Sequence, residues 1–300
     1  MLTERDIEIL RVLARYYVLS RAQIQSLCFQ GESTDGAGAR VTRRRLQSLV
    51  SDGYINRMRT YIFNPAMGTP APVYFPAKKG CEFLAVHFGD DRYYAVPFRP
   101  PQAELALHWL AISDTHLLMD AAIALQQDVE LAGWLNEYDQ VNADAESPED
   151  RYRIYTLIRR QPRLVCAPDA AFLLAAYGHK KVYYLEQDRA TSGVRQIAAS
   201  KTLGYAAMAE MSLHKKHFPD ATIPGFAVLM ITTDPRRRDA LRKEIGKKPG
   251  AGLWKFASVT DLRPDTFLFE PVFHGCDDTS PMPLVRPRST PNPMASEETS

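Results

Sequence analysis

Ile7, Leu10, Leu13, Ala14 and Tyr17 recur at intervals of three and four residues, the spacing of one helical face. They predict a helix over residues 2–17, capped by Thr3 and acidic in its first turn. Ser20 can cap a second, shorter helix to Leu27, with Ile24, Leu27 and Cys28 inward. In GARVTRRRLQSLVSDGYI, Leu46, Leu49 and Val50 share one face, while Arg40, Arg43, Arg44 and Gln47 follow i, i+3, i+4, i+7 on another. At 100° per residue these four occupy an arc of roughly 100°. Asp52-Gly53 should stop this helix, and Tyr54-Ile55 should begin a strand. YINRMRTYIF and VYFPA then read as two strands joined by a turn-forming GTPAP, followed by a helix at Lys79 to Phe88.

Beyond the proline-rich VPFRPPQ, the period changes. PQAELALHWLAISDTHLLMDAAIALQQ predicts one bent helix or two packed ones. VELAGWLNEYDQV, RLVCAPDAAFLLAAY, KKVYYLEQDRAT and GFAVLMITTD are candidate strands, with the amphipathic SKTLGYAAMAEMSLHKKHF between the last two. Strands mixed with helices imply an α/β domain with a mixed or parallel sheet, and an α+β chain overall. The segment beyond Asp277 is rich in Pro, Ser and Thr and is expected to be disordered. The expected divisions are therefore 1–96, a linker at 97–102, 103–276, and a tail at 277–300.

Composition changes this picture little, but charge does. The net charge is +2, yet six arginines (Arg40, Arg43, Arg44, Arg45, Arg57, Arg59) stand against one acid, Asp52, between residues 37 and 60. Residues 101–150 carry eleven acids and no Lys or Arg. Such blocks suggest surfaces with different partners, or solvated faces with none. The four cysteines are widely spaced with no C-x-x-C pair, which argues against a zinc ribbon or a disulfide scaffold. An acidic amphipathic start and the lack of any run of about 18 apolar residues predict a cytoplasmic chain with no signal peptide and no membrane partner.

Candidate chemistry lies on both sides of the linker. Helix, helix, basic helix, hairpin and closing helix is the order of a winged helix-turn-helix, and the first segment resembles that family. Arginine suits its exposed face because a planar guanidinium grips phosphate, or guanine O6 and N7, with two hydrogen bonds. Arg40, Arg43, Arg44 and Gln47 are thus expected in the major groove of double-stranded DNA, and Arg57 and Arg59 on its backbone.

Past the linker, Glu186 and Asp188 are two apart on a strand and should share a face. Pairing across a turn at Gly178 to Lys181 would bring Asp169 near them, given a bend at Pro168. Three convergent carboxylates repel one another unless a hard cation such as Mg²⁺ or Mn²⁺ neutralises them. The pattern resembles the restriction-endonuclease-like superfamily, whose signature is Pro-Asp, then Asp or Glu, any residue, Lys, with a leading Glu on a preceding helix. Pro168-Asp169 and Glu186 fit, but Asp188 stands at the lysine position. The resemblance implies a displaced amine from Lys201, Lys180 or Lys181, and Glu137 as the leading acid. A shape kept without its chemistry is the competing reading.

His214 and His217, at i and i+3, lack a third ligand nearby in sequence and read better as a solvated basic helix end than as a zinc site. Tyr16-Tyr17 and Tyr183-Tyr184 lie in apolar periodic segments and read as core. The run PRRRDALRKEIGKKPG is a second phosphate contact or, more simply, a solvated helix.

Taken together, LTERDIEILRVL, RRRLQSLVSDGYI, HWLAISD, WLNE, PDAAF and YYLEQDRAT resemble the plasmid replication-relaxation family over roughly residues 1–275. That resemblance implies a role in replication, mobilisation or DNA relaxation of a plasmid or integrated element, with replication or transfer proteins as partners. A homodimer is among the expected assemblies. Two alternatives stand beside it: a transcriptional regulator whose second domain only dimerises or docks a partner, and a Mg²⁺-dependent nickase.

Overall fold

The computed structural model describes residues 2–29, 36–59, 71–277 and 280–287. The chain is α+β and divides into two compact units, residues 1–117 with 136–155, and residues 118–135 with 156–300.

In the first unit, α1 (Glu4–Tyr16) opens on a capping box: Asp6 N donates to Thr3 Oγ1, and Thr3 N donates back to the Asp6 carboxylate. The two-residue β1 (Leu19–Ser20) leads into α2 (Arg21–Cys28), where Ser20 and Gln23 form the same reciprocal pair. α3 (Ala37–Ser51) ends at Asp52, and Gly53 takes the positive φ that turns the chain. β2 (Ile55–Met58) and β3 (Val73–Pro76) are antiparallel, with β1 on the other edge of β3. The expected continuation of the first hairpin strand to Phe63, and most of its turn, lie outside the described residues. α4 (Lys78–Phe88) lies close to the end of α3 because Gly80 has no side chain: a Cβ there would stand 2.2 Å from the Tyr54 carbonyl oxygen. Ile9, Leu13, Leu19, Ile24, Leu46, Leu49 and Leu84 bury the facing sides of these elements.

The expected division at 97–102 is not where the units part. α5 (Ala103–Ala124) is one helix, and its first half belongs to the first unit. Ser113 Oγ donates to the Tyr16 carbonyl oxygen at 2.9 Å, and the Trp109 ring lies 5.4 Å from that of Tyr17. The prolines interrupt the helical period without ending the packed region.

In the second unit, β4 (Val129–Asn136), most of which belongs here, is followed by the one-turn α6 (Pro148–Arg151) of the first unit. β5 (Thr156–Arg159) and β6 (Leu164–Cys166) form a small antiparallel pair that period alone does not reveal. β7 (Ala170–Ala176) and β8 (His179–Gln187) form a hairpin closed by Tyr177-Gly178 alone, with φ of 52° and 81°. Two successive positive φ values give the turn whose twist matches paired strands. α7 (Val194–Glu210), α8 (His214–His217), β9 (Phe226–Thr232), α9 (Pro235–Ile245) and β10 (Trp254–Ser258) follow, and β9 and β10 complete a five-stranded sheet ordered β10-β9-β8-β7-β4. β8, β9 and β10 run parallel. Every residue from Val182 to Gln187 is buried, as expected for a central strand covered on both faces.

Residues 280–287 correct part of the expected disordered tail. Met282 pairs with Phe273, Leu284 and Val285 are buried, and the Tyr183 hydroxyl donates to the Leu284 carbonyl oxygen at 3.1 Å. Three apolar side chains among the prolines of PMPLV hold this stretch down; residues 288–300 lie outside the described set.

Candidate functional site

α3 divides its side chains as its period demands. Leu46 and Leu49 are buried, while Arg40, Arg43, Arg44 and Gln47 are all exposed. The third arginine of the run behaves differently. Arg45 Nε donates to Asp6 Oδ1 at 2.9 Å and its terminal nitrogen contacts Oδ2. Asp6 is fully buried; burial raises its pKa, but the Arg45 guanidinium and the Thr3 hydrogen bonds outweigh this and hold the carboxyl below its usual range. Arg45 therefore ties α3 to the start of α1, leaving Arg43 and Arg44 facing solvent. Arg57, on β2, and Arg59, just after it, are also exposed.

The second unit brings together two of the three expected carboxylates. Asp169 and Glu186 lie at equal distances from the Tyr177-Gly178 turn, so the hairpin register sets them opposite one another just past the Ala170–Leu185 pair. The expected turn at Gly178 to Lys181 was placed too late, and no compensating bend is needed. Asp169 Oδ2 accepts from Gln187 N at 2.7 Å, and Glu186 Oε1 accepts from the Tyr205 hydroxyl at 2.6 Å. Between the two carboxylates sits Lys201 Nζ, 2.8 Å from Glu186 Oε2 and 3.5 Å from Asp169 Oδ1, and it also donates to the Ala167 carbonyl oxygen at 2.9 Å.

α7 delivers Lys201 and Tyr205 as an i, i+4 pair on one face. It can approach this closely because Gly204 lies against β6, where a Cβ would meet the Val165 carbonyl oxygen at 2.4 Å. Burial and the Asp169 charge push the Glu186 carboxyl up to about 7, against the pull of Lys201 and Tyr205. Burial disfavours the Lys201 ammonium, but the two carboxylates prevail and hold its pKa above the ordinary lysine range.

The remaining expected residues do not join this cluster. Asp188 lies just past the end of β8 and accepts two hydrogen bonds from Arg237 on α9, at 2.7 and 3.0 Å. That bidentate pair neutralises Asp188. Glu137 belongs to the first unit, where it accepts the Trp109 indole N–H. Lys180 and Lys181 start β8, at the opposite end from Glu186, and Lys181 packs over the Tyr183 ring. Among the described residues no group of three or more His, Cys, Asp or Glu is placed to hold a metal ion. The expected ligand set of Asp169, Glu186 and Asp188 is thus reduced to a pair with a lysine.

His214 and His217 are not a solvated helix end. His214 is buried, and His217 lies between the Thr156 and Tyr184 hydroxyls, while Lys215 and Lys216 take the outer face. On α9, Arg237, Arg238 and Arg242 are engaged by Asp188, Asp261 and the Gly275 carbonyl oxygen, leaving Arg236 and Lys243 exposed on the helix and Lys248 exposed just beyond it. Tyr205 is the site residue that sequence reading missed. Its position four residues after Lys201 was the available signal.

Fold and sites define a two-unit α+β protein, with an arginine-rich helix face on one unit and a carboxylate–lysine cluster on the other. The chain belongs to the replication-relaxation family, which it matches over residues 10–221. Membership points to a role in replication or relaxation of plasmid or mobile-element DNA, with DNA and replication components as partners. No curated protein and no solved structure matches the chain. Among the described residues no helix is long and apolar enough to cross a membrane.

Proposed function

We propose that the first unit is a winged helix-turn-helix that binds double-stranded DNA of a plasmid or integrated element, with α3 in the major groove. One observation carries this reading: Arg40, Arg43, Arg44 and Gln47 share an exposed face, while the neighbouring Arg45 is withdrawn to Asp6. Arg57 and Arg59 then meet the backbone beside the groove. Such contacts would hold the protein on its replicon in the cytoplasm. Fluorescence anisotropy with duplex DNA tests this: Arg43→Ala with Arg44→Ala should weaken binding, and unchanged affinity at every ionic strength would remove α3 from the interface.

A second reading, that the other unit is restriction-endonuclease-like and nicks DNA, is favoured by Lys201 reaching Asp169 and Glu186 from α7. The donor set suits a hard ion: two carboxylates and the Ala167 carbonyl oxygen could hold Mg²⁺ or Mn²⁺, with water completing its shell. When bound, the ion would polarise a phosphate oxygen and lower the pKa of a water bound beside it. Asp169 and Glu186 would bind it, Tyr205 would orient Glu186, and Asp188, taken up by Arg237, would have no part. Supercoiled plasmid incubated with Mg²⁺ or Mn²⁺ should be nicked by the wild type and by Asp188→Asn, but not by Asp169→Asn or Glu186→Gln. Binding without nicking would leave a DNA-anchored scaffold or regulator.

A further inference from the structure

Each carboxylate of the Asp169–Glu186 pair has one oxygen committed elsewhere, to Gln187 N and to the Tyr205 hydroxyl. The two that remain, Asp169 Oδ1 and Glu186 Oε2, both face Lys201 Nζ, whose further hydrogen bond goes to the Ala167 carbonyl oxygen. An ammonium with three donors is thereby matched to three oxygens. These are the same three oxygens a divalent ion would need. Gly204 seats α7 against the Val165 carbonyl, which keeps the lysine aimed at this point. Asp188 adds no charge to spare, being paired with Arg237. The acids are nearly sealed, with Glu186 4% exposed, while 30% of the Lys201 side-chain surface reaches solvent.

We propose that the Lys201 ammonium is the resident cation of this pair, and that it and a divalent ion are alternative occupants of one site. A lysine that served only to orient an attacking water would stay beside the ion; this one must swing out of the site before the ion enters. Metal affinity is then lowered by the fraction of molecules in which the lysine is withdrawn. The inference rests on the second reading above only in treating the pair as a cation site.

Calorimetric titration of the full chain with Mn²⁺, without DNA, tests it. Lys201→Met should bind Mn²⁺ about tenfold or more tightly than the wild type, as expected if the withdrawn state is held by a tenth of molecules or fewer. The double variant Lys201→Met/Asp169→Asn should lose that binding. Equal or weaker binding by Lys201→Met, or no binding by any of the three, overturns the proposal. Because Lys201→Met leaves two nearly buried carboxylates facing each other, its thermal midpoint should rise further with Mn²⁺ than the wild-type midpoint does at the same concentration. Lys201→Gln, uncharged and polar, should behave alike. Failure of both variants to fold even in Mn²⁺ counts against the proposal, since the alternative occupant should restore them. Mn²⁺ uptake by Lys201→Met together with absent plasmid nicking by the wild type would sink the nickase and leave the exchange of cations standing.

Discussion

Arg43, Arg44 and Arg45 are consecutive, yet only the third should matter for stability. Replacing Arg45 with Ala strips the Asp6 carboxylate of its cationic partner inside the first unit, where Asp6 is fully buried and Arg45 keeps 29% of its side-chain surface in solvent. Breaking a fully buried ion pair costs about 3–5 kcal/mol, and an exposed one contributes roughly 0–1. Asp6 retains the hydrogen bonds from Thr3 N and Thr3 Oγ1, at 2.8 and 2.7 Å, and Arg45 is partly solvated, so the expected loss is about 2–3 kcal/mol. Arg43→Ala and Arg44→Ala remove only exposed side chains and should each change stability by less than about 0.5 kcal/mol. Urea unfolding followed by circular dichroism reads both. An unchanged midpoint for Arg45→Ala, or an equal loss for Arg43→Ala, would refute the division of the helix into an anchoring and a free side.

Three further outcomes follow from the second unit. His217 has Nδ1 2.7 Å from the Tyr184 hydroxyl and Nε2 3.1 Å from Thr156 Oγ1, and burial, aided by the nearby His214 and Lys216, lowers its pKa to about 4. The unfolded chain therefore takes up a proton that the fold refuses between about 6.5 and 4; stability should be full above pH 6.5 and fall by about 2–3 kcal/mol as pH drops to 4, and His217→Gln should flatten this dependence in urea titrations. Gly204→Ala forces a Cβ against the Val165 carbonyl and should lower stability by about 1–3 kcal/mol, readable as a drop in melting midpoint; an unaltered midpoint would show that α7 has room to retreat. Asp188→Asn removes the charge facing the mostly buried Arg237 and should lower stability by about 1–3 kcal/mol by chemical denaturation, with Arg237→Met recovering part of the loss in the double variant.

Elements governed by short-range rules were legible in the chain. Thr3 and Ser20 cap their helices through contacts three residues away, Asp52-Gly53 stops α3, and the i, i+3, i+4, i+7 spacing gave the exposed arginine face. The hairpin turn was misplaced because Tyr177 takes a positive φ that tyrosine rarely adopts, so the lysines beside Gly178 looked like turn residues when they are strand. Alternation led to the expectation that Glu186 and Asp188 share a strand face, but β8 ends at Gln187, and alternation is blind to Arg237, which lies 49 residues beyond Asp188 and holds it. β1, β5 and β6 are too short to show a period, and they form only because a partner strand lies alongside. The unit boundary was hidden for a related reason: α5 continues one helical pattern while its first half belongs to one unit and its last turns to the other.

The salt dependence of DNA binding tests the central claim most directly. If Arg40, Arg43 and Arg44 enter the groove from the exposed face of α3 and their charges displace condensed cations there, replacing all three with Ala should weaken binding and reduce the slope of log K against log salt by up to roughly 2.7, at about 0.9 per phosphate charge offset, while the Asp6–Arg45 anchor keeps the unit folded. A wild-type slope retained by a folded triple variant would contradict it.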